Sequence, residues 1–74
     1  MSPDFVRKTV SWRPFRPFII HLAGGRSIPV RSPEFIEMPA EGRMVVVGNV
    51  NDSAHIIDLL LVTDLEFPNT SILD

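Results

Sequence analysis

Side chains alternate across a β-strand, so Phe18, Ile20 and Leu22 share one face of a strand, and Ile28 and Val30 share one face of the next. For these two apolar sets to meet, even-numbered residues must pair with even-numbered ones. That excludes a two-residue loop at Gly24-Gly25 and requires a three-residue loop, Ala23 to Gly25. Leu22 then faces Arg26, Ile20 faces Ile28 and Phe18 faces Val30. Such a loop is a type I turn followed by a residue at positive φ, which Gly25 adopts without a Cβ clash. The run from Arg16 to Val30 therefore predicts one β-hairpin with a defined register.

The same pattern predicts the remaining elements. Ser2-Pro3-Asp4 reads as a helix start, with Ser2 as cap, Pro3 in the first turn and Asp4 near the positive end of the dipole. The helix runs to about Ser11 and presents Phe5, Val6, Thr9 and Val10 as one stripe, so it must dock on the sheet to persist. Pro14 and Pro17 keep Trp12 to Pro17 extended. Ser32-Pro33-Glu34-Phe35 predicts a tight turn or a single helical turn. A second hairpin follows, with Phe35 to Met38 as one arm, Pro39 to Gly42 as the loop and Arg43 to Gly48 as the other arm. Met44-Val45-Val46-Val47 is apolar at every position and predicts a central or doubly covered strand. Asn51-Asp52-Ser53 predicts a turn, and Ala54 to Ile57 the next strand. Asp58 suits the cap of a short helix beginning at Leu59 or one tight turn over Asp58-Leu59-Leu60, and the alternation that follows favours the turn. A last strand then spans about Leu61 to Phe67, in which Leu61, Thr63, Leu65 and Phe67 alternate with Val62, Asp64 and Glu66. A tail, residues 68–74, is expected to fray.

The chain has 74 residues and no cysteine, which makes one domain of marginal core size without disulfides or thiolate metal sites. Self-association is the remaining common support for a core of this size. No apolar run approaches the length of a membrane span, and no basic stretch followed by a long apolar one marks a secretory leader. A cytoplasmic protein without a membrane partner is the expectation.

Charge adds a second feature. Residues 1–32 carry Arg7, Lys8, Arg13, Arg16, Arg26 and Arg31 against Asp4 alone, whereas residues 33–74 carry eight acidic residues against Arg43 alone. A basic half of this kind suits an acidic partner, or the acidic half of another copy.

Candidate chemistry is sparse. His21 and His55 are the only histidines, and no spacing of metal-ligand type accompanies them. His21 falls on the face opposite Phe18, Ile20 and Leu22 and is expected to face solvent. No serine or threonine lies in a nucleophile elbow. Gly24-Gly25-Arg26 lacks the helix and Lys-Ser/Thr pair of a phosphate loop, and the hairpin accounts for both glycines. Asp58, Asp64 and Glu66 do not follow the calcium-loop pattern and read as surface acids. Trp12, Arg13, Phe15, Arg16 and Phe18 interleave basic and aromatic residues, the composition that clamps phosphates and stacks bases. No cofactor or catalytic residue is expected.

Several short motifs also stand in order: Arg13-Pro14-Phe15-Arg16-Pro17-Phe18, Gly25-Arg26, Pro33-Glu34-Phe35, Gly42-Arg43-Met44-Val45-Val46-Val47 and Ile57-Asp58 through Val62-Thr63. On these, the chain resembles a family of small uncharacterised bacterial proteins, frequent in planctomycetes, over about residues 13–66. The family often has Asp where this chain has Gly24, and His where it has Ser32. The resemblance implies a small single-domain protein and carries over no site residue.

Together these readings predict a mainly β domain: five or six short antiparallel strands closed as a small SH3-like or Sm-like barrel, with a short N-terminal helix. The expected function is a non-enzymatic interaction module that binds protein, its own copies first. The contact would run through an edge strand, whether the first, the last or the one at Met44. The alternative is a weak Sm-like RNA or DNA binder using Arg13, Arg16, Arg26 and Arg31.

Overall fold

Ser2 stops the chain from being extended: its side chain accepts a hydrogen bond from the Asp4 N–H, and helix α1 (Pro3–Ser11) follows. A computed structural model describes residues 1–69; the predicted tail lies, from residue 70 on, outside the described residues. Of the predicted stripe, Val6 and Thr9 are buried and Phe5 is exposed. The helix is tied to the rest of the chain at its start and at its middle. The Met1 amino group donates to the Leu59 carbonyl at 3.3 Å, and Arg7 donates to the carbonyls of Pro39 and Ala40 at 3.0 and 3.3 Å.

Six antiparallel strands follow: β1 (Phe18–Leu22), β2 (Ser27–Val30), β3 (Ile36–Glu37), β4 (Met44–Gly48), β5 (Ala54–Asp58) and β6 (Val62–Glu66). They form two three-stranded sheets, ordered β2-β1-β6 and β3-β4-β5. The β1–β2 register is the predicted one, with Phe18 opposite Val30 and Ile20 opposite Ile28. Gly25 closes the loop at φ +92°, and its N–H donates to the Leu22 carbonyl at 2.9 Å. Pro33–Phe35 and Leu59–Leu61 are single 3-10 turns at the predicted corners.

The strands are not a closed barrel, which corrects the predicted closure. Ser32 and the 3-10 turn starting at Pro33 break the run from β2 into β3, so the ladder of the first sheet does not continue into the second. Among the described residues the free edges are β2, β6, β3 and β5. This corrects two of the three expected edge strands: β1 and the Met44 strand, β4, are each the centre of a sheet, while the last strand, β6, is an edge.

The core lies between the inner faces of the sheets and α1. Val6, Phe18, Ile20, Ile28 and Val30 meet Ile36, Val45, Val47, Ile57, Leu59 and Val62. In β4 and β5 the odd-numbered residues point inward, so Val45 and Val47 are fully buried while Met44 is 51% exposed. The uniformly apolar strand β4 is thus central but covered on one face only. Burial on both faces occurs instead in β1, where Ile19 is also buried, between its cross-strand neighbours Pro29 and Glu66.

The last strand corrects a further expectation. Ile20 pairs with Leu65 and His21 with Asp64, but Leu22 pairs with Val62, leaving Thr63 as the extra residue of a β-bulge. The bulge reverses the phase of the side chains. Val62 and Leu65 pack on the core, and Leu61 is 54% exposed rather than inward. The Thr63 hydroxyl donates to the His21 carbonyl at 3.2 Å, holding the bulge against β1.

Candidate functional site

The four arginines singled out by sequence do not form one patch. Arg13 turns back on α1 and donates to the carbonyls of Val10 and Trp12 at 3.0 and 2.7 Å, capping the negative end of the helix. The Arg16 guanidinium carbon lies 5.0 Å from the centre of the Phe67 ring, a cation–π arrangement. Phe67 also packs on Trp12 and Phe18, with ring centres 5.4 and 5.8 Å apart. Trp12, Arg13 and Arg16 therefore make an exposed basic and aromatic corner, and Arg31 follows the Phe18–Val30 end of the same hairpin. Arg26 sits at the opposite end, four strand residues or about 13 Å away. There its Nη2 donates to His55 Nδ1 at 3.2 Å, linking the two sheets.

The histidine expected to face solvent, His21, is on the outer face of the first sheet and bridges its strands. His21 Nε2 lies 2.7 Å from Glu66 Oε1 on β6, and Nδ1 lies 3.0 Å from Ser27 Oγ on β2. A hydroxyl, an imidazole and a carboxylate in series can pass a proton. Acyl transfer needs in addition paired N–H donors and a walled cavity. Three clefts lie elsewhere: one lined by Pro29, Arg31, Phe35, Gly48, Asn49 and Val50, another by Pro33 to Glu37 with Val46 and Gly48, and a third by Arg7, Val10, Ser11, Arg13, Ile36 and Met38. Among the described residues no three potential metal ligands converge, and no helix is long and apolar enough to cross a membrane.

Asp58 closes β5. Its Oδ1 accepts from the Leu60 N–H at 2.9 Å and from Arg43 Nε at 3.0 Å. These two bonds, the backbone one first, hold its carboxyl below the usual aspartate value of 3.8.

The feature that sequence reasoning missed is the outer face of the second sheet. Pairing aligns Glu37, Val46 and Ile56 in one row, with Met44 beside Asp58 in the next. Ile56 is 73% exposed, Leu60 68% and Met44 51%, and Leu61 follows them. Met44 and Ile56 share one face because β4 and β5 are antiparallel neighbours, which no local pattern announces, and Leu60 and Leu61 belong to the 3-10 turn that follows β5. Asp58 and Arg43 interrupt the apolar letters in the sequence yet lie at one end of this patch.

No family model, curated protein or solved structure matches the chain. Some of the motifs that carry the bacterial resemblance fall on structural corners, whereas Met44 to Val47 is strand β4. Gly25-Arg26 is the hairpin turn, Pro33-Glu34-Phe35 a 3-10 turn, and Ile57-Asp58 the approach to the other 3-10 turn.

Proposed function

We propose that this chain is a non-enzymatic interaction module of the cytoplasm, an open relative of the SH3-like and Sm-like small barrels, whose partner is protein and first of all its own copies. Membership of the motif-bearing bacterial family is part of the same proposal and rests on the motifs. The carrying observation is that the large apolar side chains of Met44 and Ile56 stand exposed on one face of the β4–β5 hairpin, in a domain with a small core. Exposed apolar groups gathered in one place mark contact surfaces, whereas scattered ones are ordinary. The absence of cysteine from the chain adds weight, because association supplies the burial that disulfides would otherwise offset.

The test is solution mass by light scattering, at low and high salt, with and without added total nucleic acid. An oligomer that is insensitive to salt and ignores nucleic acid supports the module. A monomer that gains mass only with nucleic acid at low salt supports a second reading, a weak nucleic-acid binder. That reading is favoured by one observation, the exposed corner where Arg16 stacks on Phe67 beside Trp12 and Arg13. The dispersal of Arg26 to the far end of the hairpin weighs against it.

A further inference from the structure

Among the described residues four strand edges are free, and three of them carry devices that discourage pairing. Strand β2 contains Pro29, which has no N–H to donate. Strand β3 is two residues long and is soon followed by Pro39. Strand β6 is broken by the Thr63 bulge and presents Asp64 and Glu66 outward. All are recognised ways of blunting a sheet edge. Strand β5, Ala-His-Ile-Ile-Asp, has five residues without proline, lysine or bulge, and its Ile56 is 73% exposed.

The hydrogen bonding of the β4–β5 hairpin shows which groups this edge offers. The Leu59 N–H donates to the Arg43 carbonyl and the Asn49 N–H to the Ser53 carbonyl, both at 2.8 Å. In an antiparallel pair, bonded and non-bonded positions alternate. The odd-numbered residues of β5 therefore turn their backbone groups toward β4, and Ala54, Ile56 and Asp58 turn theirs toward the open edge.

We infer that two copies of the chain join edge to edge through β5, antiparallel about a two-fold axis at Ile56, to make one continuous six-stranded sheet. This rests on the self-associating reading above and names its surface. Pairing along an antiparallel edge requires that the outward-facing groups meet one another, so even-numbered residues must again face even-numbered ones. The register with full overlap places Ile56 opposite Ile56 of the second copy and Ala54 opposite Asp58. No like charges oppose each other, and Asp58 keeps Arg43 beside it. On the outer face the row Glu37, Val46, Ile56 runs on into its own image, so the exposed isoleucines cover each other and are flanked by Val46 on either side. A self-complementary edge of this kind fits a second copy, because a C2 interface requires the same patch on both sides. Closure at two copies follows from the same symmetry.

The experiment uses the full chain, its Ile56→Lys variant, and single cysteines introduced at Ile56 or, as control, at Val50, in a protein that has no other thiol. Ile56→Lys sets two cations face to face on the axis while leaving the buried core alone. Light scattering is expected to show a salt-insensitive dimer of the 8.3 kDa chain, and Ile56→Lys to weaken it at least about tenfold with an unchanged circular dichroism spectrum. A short bis-maleimide is expected to link Ile56→Cys chains into dimers and to leave Val50→Cys chains single. A dimer that survives Ile56→Lys, or that links through Val50→Cys and not Ile56→Cys, overturns the β5 interface while self-association stands. A ring or filament larger than a dimer overturns the two-fold arrangement. A monomer at every concentration overturns both the interface and the self-associating reading.

Discussion

Arg43 and Asp58 face each other across the open end of the β4–β5 hairpin, with Nε 3.0 Å from Oδ1, and the same oxygen accepts from the Leu60 N–H at 2.9 Å. One carboxylate thus joins a strand pair to the 3-10 turn that leads into β6. Its folded titration lies below the ordinary value of 3.8. Between the folded and unfolded values the unfolded chain holds more protons, so stability rises with pH there. The contribution of Asp58 is complete above about pH 4 and is lost as pH falls through the lower folded value. Asp58→Asn, which keeps an acceptor for the Leu60 N–H and removes the charge that pairs with Arg43, is expected to lower the Tm slightly at pH 7. The gap between the two proteins closes as both are melted at progressively more acid pH.

The hairpin turn separates its two glycines. Gly25 adopts φ +92°, whereas Gly24 has no such requirement, and no atom lies within 4 Å of a Cβ placed at either position. Gly25→Ala is therefore a test of backbone conformation alone. It is expected to cost about 1–2 kcal/mol, while Gly24→Ala leaves stability unchanged or raises it by about 0.4–1 kcal/mol. Urea melts of the two variants against the parent measure the difference.

Phe18 is fully buried and its ring meets Phe15 and Phe67, with centres 6.0 and 5.8 Å away. Phe18→Ala is expected to cost about 3–5 kcal/mol, from a total of about 4–11 kcal/mol for a chain of this length. Circular dichroism at 37 °C should show a substantial unfolded fraction in Phe18→Ala and a folded protein in Phe18→Leu.

If the basic corner binds phosphates, the arginines at that corner and the distant one separate in their effect. Arg16→Ala and Arg31→Ala are expected each to reduce the salt slope of single-stranded nucleic-acid binding by about 1, and Arg26→Ala to leave it unchanged. Fluorescence anisotropy across a salt series reads all three. Equal effects at all three positions would mean that the hairpin is bound along its whole length.

Much of the fold is legible in the letters because its information is local. Ser2-Pro3-Asp4 starts the helix where capping chemistry requires it, and Gly25 permits the one loop that lets Phe18 meet Val30. Asn51-Asp52-Ser53 and Asp58 likewise turn the chain at the positions their side chains dictate, with Asp52 at φ 68°. The alternation from Leu61 to Phe67 misleads, because period two assumes an unbroken ladder. The Thr63 bulge inserts one residue and moves Val62 inward. The candidate site was hardly legible. Arg13 and Arg26 are consumed by the helix terminus and by His55, partners 1 to 3 and 29 residues away.

By itself the sequence determined the helix, the corners, the strand positions and the register of the first hairpin, since each follows from φ preference, side-chain capping or the two-residue period of a strand. Only the tertiary structure decided which strands are central and which are edges, where the bulge falls, and which apolar side chains remain outside. Those depend on pairing between residues far apart in the chain, such as His21 with Glu66, 45 positions away. An apolar letter does not state whether its strand will be covered. Ile56 and Ile57 are adjacent and chemically identical, and the pleat sends one to solvent and the other to the core.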